Sequence, residues 1–210
     1  MADETGFFAL LSRMRYISRW GLMRSSIPEN IQEHSHEVAV YAHALGLIRS
    51  EIFGKECDAG HLAVLALYHD ASEILTGDLP TPIKYHDPVI RDAYKDVEKM
   101  AEEKLNAMLP EQLRGAYARA MRPASEDEER LVKAADKLSA LVKCIAERKA
   151  GNREFLSAEA QTRAALEAMA LPEADWFLEH CLGAFEKDLD ELGAMGGSRK
   201  SSSASMNWPD

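Results

Sequence analysis

Leu62-Ala63-Val64-Leu65-Ala66-Leu67-Tyr68-His69-Asp70-Ala71-Ser72-Glu73 is the stretch on which the reading of this chain turns. Leu62, Leu65 and Ala66 mark the apolar stripe of a helix over about 58–76, and steps of three, four and seven residues carry that stripe onto His69, Asp70 and Glu73. A histidine and two acids therefore take a core-facing position. Burying unpaired charges costs on the order of several kcal/mol each, so these side chains need a metal, a partner or a water-filled cleft.

Two other helices repeat the oddity. Over about 30–52, Ile31, Val38, Tyr41 and Leu45 share one face, and His34 falls on it while His36 points away. Over about 125–149, Leu131, Ala135, Leu138 and Val142 form the stripe and Asp136 lies on its flank. Taken singly, each histidine reads as a satisfied core residue and Asp136 as a solvated acid. Taken together they read as a cluster, because neutral imidazoles with carboxylates suit divalent Mn, Co, Fe, Ni or Zn, whereas a thiolate site would use cysteines. His69 and Asp70 are consecutive, about 100° apart around a helix, and can approach one ion from neighbouring directions. His86-Asp87 has no apolar stripe leading into it and reads as surface loop; His43, His61 and His180 lack a carboxylate at ligand spacing and read as structural.

Outward from these helices the pattern stays helical. Ala, Leu, Glu, Lys and Met dominate, strict alternation is absent, and Gly and Pro cluster between periodic stretches, which predicts an all-α fold. Helices are expected near 5–17, 30–52, 58–76, 88–108, 125–149, 152–170 and 172–192. Asn30 with Glu33, and Ser125 with Glu128, predict capping boxes at two of the starts. Gly77 is expected to close the third helix, and Asp78-Leu79-Pro80-Thr81-Pro82 to follow as a rigid loop. One domain over 1–192 is expected, with a disordered Gly/Ser-rich tail over 193–210.

The chain has 210 residues, 46% hydrophobic and 29% charged, a balance that excludes global disorder. Its 25 Lys and Arg against 35 Asp and Glu give a net charge of -10, which argues against a nucleic-acid polymer as partner. An anionic ligand needs a local positive site. Residues 1–28 supply Arg13, Arg15, Arg19 and Arg24 against Asp3 and Glu4 alone, and predict an arginine-rich entrance. Cys57, Cys144 and Cys181 form no CxxC pair, the N-terminus does not read as a secretory signal, and no stretch reaches the ~18 apolar residues of a membrane span. A cytoplasmic protein without a membrane partner is expected.

His34, then Tyr68-His69-Asp70-Ala71-Ser72-Glu73, then Asp136, in an all-helical chain, resembles the HD-domain metal-dependent phosphohydrolases. The words around them, Ser18-Arg19-Trp20-Gly21-Leu22-Met23-Arg24, Glu33-His34-Ser35 and YHDASEILTGDLPTPIKY at 68–85, are similar to those of the bacterial HD-domain 5'-deoxynucleotidases (YfbR-like). The similarity runs from about Phe7 to about Leu192 and is weakest from Ala107 to Pro123. It implies an HD-domain helical bundle and a homodimeric cytoplasmic enzyme that removes the 5'-phosphate from deoxyribonucleoside monophosphates with a divalent ion, commonly cobalt, with manganese or another transition metal as alternatives. By the same resemblance His34, His69, Asp70 and Asp136 are metal ligands, which also brings His34, Asp70 and Asp136 against the substrate. Glu73 matches the catalytic carboxylate, Arg19 and Trp20 the phosphate and sugar contacts, and Asp78, Leu79, Pro80 and Thr81 a nucleotide-binding loop.

Elementary chemistry accommodates these roles. Glu73, one turn beyond His69, suits a proton carrier for water or for the departing 5'-oxygen, and the sequence leaves both open. Arg19 offers a guanidinium fork to phosphate oxygens. Trp20 is bulky enough to wall off a 2'-hydroxyl, or is a core aromatic; Asp78 accepts from a 3'-hydroxyl, or caps a turn. Nothing selects a base, so breadth across bases is expected. Two other readings stand beside this one: an HD-type phosphohydrolase for cyclic, triphosphate or signalling nucleotides, and a helical module with a structural ion.

Overall fold

Helices joined by short turns make up the described residues, 4–84 and 87–195 of this computed structural model, and the strand-like pairing among them is a single antiparallel bridge between Ser18 and Asn30. In chain order the helices are α1 (Phe7–Leu11), α2 (Ile31–Leu47), α3 (Ala59–Tyr68), α4 (Glu73–Thr76), α5 (Thr81–Lys84), α6 (Pro88–Ala107), α7 (Glu111–Ala120), α8 (Glu126–Lys149), α9 (Leu156–Glu167), α10 (Pro172–His180) and α11 (Leu189–Met195). A 3₁₀ turn (Ser12–Tyr16) extends α1, and a π turn (Ile48–Ile52) extends α2.

The α2 start is a complete capping box: the Asn30 side chain accepts from the Gln32 and Glu33 amides at 3.0 Å, and Glu33 accepts from the Asn30 amide at 3.3 Å. The box expected at α8 is only half formed. Ser125 accepts from the Glu128 amide at 3.2 Å, but the Glu128 carboxylate reaches back one residue further, to the Ala124 amide at 2.6 Å.

Several expected boundaries move. The helix predicted over 58–76 breaks after Tyr68, and residues 69–72 wind through three-residue bonds, Ala71 to Tyr68 at 2.9 Å and Glu73 to Asp70 at 3.0 Å, before α4 begins. Gly77, at φ +73, closes α4, a conformation that favours glycine. The predicted loop over 78–82 is interrupted by α5, whose first turn tolerates Pro82 because the N–H that proline lacks has no helical partner there. Asp87, expected in a surface loop, caps α6 by accepting from the Ile90 amide at 2.9 Å; His86 lies outside the described residues. Helix α7 falls where none is expected, and the helix expected over 172–192 is divided by a 3₁₀ turn at Leu182–Glu186 and continues to Met195. Of the tail expected over 193–210, residues 196–210 lie outside the described residues.

Two apolar cores result. The larger joins α2, α3, α8, α9 and α10 through Val38, Leu45, Leu62, Leu65, Leu138 and Leu141, among others. Each fully buried leucine contributes about 1.5–3 kcal/mol. Helices α2 and α3 touch closely at Gly46, where an added Cβ would lie 2.8 Å from the Ala59 Cα. The smaller core gathers Phe7, Ala71, Leu105, Leu109 and Met121. Leu65 and Ala66 belong to the first core and Ala71 to the second, so the tight turn at 69–72 crosses the seam between them. His69, Asp70 and Glu73 open into that seam.

Candidate active site

The three helices that carried polar residues on their apolar faces bring those residues to one place. One ligand atom each from His34, His69 and Asp136 lies within 4.8 Å of the others. Asp70 Oδ2 sits 3.1 Å from His69 Nε2 and 3.6 Å from His34 Nε2, and Asp136 Oδ1 sits 3.1 Å from His34 Nε2. Atoms bound about 2.1 Å from one ion lie roughly 3–4 Å apart, so this group has nearly the spacing of a coordination sphere.

The far side of each imidazole fixes what the near side offers. His69 Nδ1 lies 2.7 Å from the Ala66 carbonyl, an acceptor only, so Nδ1 carries the hydrogen and donates it. His34 Nδ1 lies 3.0 Å from Ser139 Oγ, whose own hydrogen goes to Glu37 Oε2 at 2.9 Å, so His34 Nδ1 donates as well. Both Nε2 atoms then face the carboxylates as lone pairs, buried and without a hydrogen-bond partner. Lone pairs and carboxylate oxygens at 3.1 Å repel unless a cation lies among them. The donor set fits a divalent transition ion.

The electrostatics state the same need in protons. Burial lowers His69, but Asp70 and then Asp136 outweigh it and its pKa is raised. Burial alone would raise Asp70 and Asp136; His69, His34 and Arg19 hold Asp70 below its ordinary range, and His34 and His69 hold Asp136 at about 2. Glu73 is the contrary case. Burial, with the charges of Asp70 and Asp78, pushes it up to about 9, and its Oε2 is buried without a partner. Glu73 thus favours a proton beside Asp70, which refuses one, the divergence expected of a group that carries protons next to a group that holds a cation.

Arg19 is the one N-terminal arginine that reaches this site. Its Nε donates to Glu29 Oε2 at 3.2 Å and its Nη1 to Asp70 Oδ2 at 3.4 Å. Burial disfavours its charge, yet Asp136, Asp70, Glu29 and Asp78 outweigh that and raise its pKa. The other three arginines of the expected entrance do not gather around the cluster: Arg13 lies over the Tyr16 ring, Arg15 lines a groove of about 710 Å³ with Glu29, Glu33 and His36, and Arg24 is exposed. The next residue, Trp20, is half-buried; its Nε1 donates to Glu29 Oε2 at 2.6 Å and its ring lies 5.2 Å from that of Phe155.

Asp78 is half-buried, raised chiefly by burial, and close enough to Arg19 for their charges to interact. Leu79 and Pro80 are half-buried beyond it, and Thr81 opens α5. Tyr94 of α6 holds this segment by donating to the Gly77 carbonyl at 3.1 Å, with the Thr76 hydroxyl at 3.2 Å. His36 and His43 are exposed, His61 faces Glu128 at 3.6 Å, and His180 stacks on Trp176, all away from the cluster.

Sequence reasoning missed Glu29, Glu37, Ser139 and Glu147. The first three hold Arg19, Trp20 and His34. Glu147, fully buried on α8, accepts from the Ser26 amide at 2.8 Å, the Ile27 amide at 2.9 Å, Lys143 at 2.6 Å and Asn152 at 2.9 Å, and so ties down the segment that follows Trp20. Its signal in the sequence was a Lys143–Glu147 pair four residues apart, which reads as an ordinary surface pair.

Comparison with known proteins gives the same architecture a relationship. The 5'-deoxynucleotidase YfbR of Shigella boydii is 48% identical over 191 residues, spanning 90% of this chain and 96% of that protein, and the 5'-deoxynucleotidase YfbR of Escherichia coli matches to the same extent. Among solved structures, an HD-domain phosphohydrolase from Listeria innocua superposes with a TM-score of 0.74 at 23% identity, over 91% of this chain and 95% of that one. The HD phosphohydrolase of cyanophage S-2L, solved with dA and one catalytic zinc ion, superposes with a TM-score of 0.59 at 20% identity, over 85% and 96%. At those identities the structural likeness speaks for the fold. The family model described as 5'-deoxynucleotidase YfbR-like covers residues 6–185, and with it the whole seam and every candidate ligand; this chain belongs to that family, on the HD-domain phosphohydrolase fold.

Proposed function

We propose that this chain hydrolyses deoxyribonucleoside 5'-monophosphates to deoxyribonucleosides and phosphate, across bases and in preference to ribonucleotides. The observation that carries the reading is the pair of buried, unpartnered Nε2 lone pairs of His34 and His69 converging with Asp70 and Asp136 beside Arg19. The names of the 48% identical relatives support the substrate class. His34, His69, Asp70 and Asp136 would hold one divalent ion, cobalt in vitro with manganese next. When bound, such an ion supplies Lewis acidity toward phosphate oxygen and a lowered water pKa.

The chain's own groups do the rest. Arg19, with Nε fixed on Glu29, turns its Nη edge to the phosphate and offsets the charge that develops there. Glu73 exchanges a proton within the cavity, with water or with the departing 5'-oxygen. Trp20 stands where a ribose 2'-hydroxyl is to be refused, and Asp78 with Leu79, Pro80 and Thr81 borders the sugar and base. A homodimer working in the cytoplasm completes the reading; among the described residues no helix is long and apolar enough to cross a membrane.

The test is phosphate release by purified protein with cobalt or manganese against a nucleotide panel. Deoxyribonucleoside 5'-monophosphates should be cleaved at least tenfold faster than ribonucleoside 5'-monophosphates and 3'-monophosphates. Equal rates on ribonucleotides would remove the selectivity, and cleavage confined to cyclic or triphosphate nucleotides would reassign the substrate.

A further inference from the structure

One carboxylate oxygen serves both Arg19 and Trp20. Glu29 Oε2 accepts from Arg19 Nε at 3.2 Å and from Trp20 Nε1 at 2.6 Å, while the Arg19 amide donates to the Glu29 carbonyl at 3.0 Å and Ser18 pairs with Asn30. The Glu29 side chain is only 10% exposed, so the oxygen is held in place by its surroundings. Trp20 has φ +62, a conformation that a bulky side chain keeps only when its neighbours impose it. Phe155 supports the ring on one side, and Glu29 fixes the edge.

We propose that Glu29 is a specificity-determining positioning residue: through Oε2, the one atom bonded to both, it holds the Arg19 guanidinium and the Trp20 indole in a fixed relation, while Asp70 and Phe155 each support only one of them. This deepens the function proposed above and rests on it. The two halves of the hold respond differently to its loss. A looser Arg19 weakens every phosphate monoester alike. A looser indole matters only to a sugar that carries a 2'-hydroxyl, because without the Nε1 bond the ring can turn away and admit that hydroxyl. Loss of Glu29 therefore changes a ratio as well as a rate.

The experiment measures kcat and KM for one deoxyribonucleoside 5'-monophosphate and its ribose counterpart in wild type, Glu29→Ala and Glu29→Gln, with bound metal quantified in each. In Glu29→Ala the deoxy-to-ribo ratio of kcat/KM should fall about tenfold or more, KM should rise for both substrates, and metal content should be unchanged. Glu29→Gln, whose amide oxygen can still accept from both donors, should retain most of the ratio. A selective wild type with an unchanged ratio in Glu29→Ala, both substrates falling by one factor, would overturn the proposal and leave the function standing. A wild-type ratio near one would overturn both. Should Glu29→Ala fail to fold, Glu29→Asp, which withdraws the carboxylate by one methylene, carries the same expectation.

Discussion

Glu73 follows Asp70 by three residues on chain wound with three-residue bonds, an arrangement that stacks the two side chains on one side of the turn. Burial first, and then the charges of Asp70 and Asp78, raise Glu73 to about 9. Its folded value lies above its ordinary value of 4.5, so the folded chain holds the extra proton. The stability this contributes is complete below about pH 4.5 and is lost as pH rises toward about 9. In chelator, thermal melts of the metal-free protein should therefore fall in Tm across that window. Glu73→Gln should flatten the fall, leaving the share of the other raised groups, His69 and Asp78 among them, which also lose their contribution as pH rises. An unchanged slope in Glu73→Gln would remove Glu73 from the account. His34, His69, Asp70 and Glu73 were legible in the sequence because each is polar on an apolar stripe, and Asp136 because it borders one. Glu29, Glu37 and Ser139 were not: Glu29 lies in no helix, and Glu37 and Ser139, although they fall at stripe spacing beside Tyr41 and Val142, are a lone acid and a small hydroxyl that suggest no ligand; only the folded chain shows what they touch.

At the scale of elements, helical periodicity located the long helices well and failed where the winding changes. The apolar stripe runs unbroken through 62–73, so nothing in it announces that α3 stops at Tyr68 and resumes at Glu73. Helix α7 carries a short stripe, Leu113, Ala116, Tyr117 and Ala120, but Gly115 at its middle and its length of only 10 residues masked it. The segment between Trp20 and α2 is irregular and depends on α8 for its place. Burial alone would raise Glu147, but Lys143, Asn152 and the Ser26 and Ile27 amides hold it down at about 2, a fully satisfied buried anion. Glu147→Ala strips Lys143 of that partner and both amides of their acceptor, and should cost about 3–5 kcal/mol, read as a lowered urea midpoint. Glu147→Gln keeps an acceptor for the amides and should lose visibly less. Equal, small losses in both would mean that the segment holds itself.

For the whole molecule, a net charge of -10 is gathered in part around the seam, where Asp70, Asp78, Asp136 and Glu29 surround one arginine. Such a site should draw stability from any cation it holds. A metal present at about a hundred times its dissociation constant adds roughly 2.7 kcal/mol, which for a chain of this length raises Tm by about 5–10 °C. Cobalt or manganese should produce that shift in wild type, and His69→Ala should abolish it; a shift retained in His69→Ala would place the ion elsewhere. The Ser18–Asn30 bridge has a further consequence. Asn30 is also the cap of α2, so the segment from Ile17 to Ile31 is closed at its base by the same residue that starts the first long helix. Its conformational entropy is lost when the chain folds and need not be lost again when a nucleotide arrives. On the function proposed above, discrimination between sugars would belong to a preorganised wall, in place before the encounter, and not to a lid that assembles around whatever has already bound.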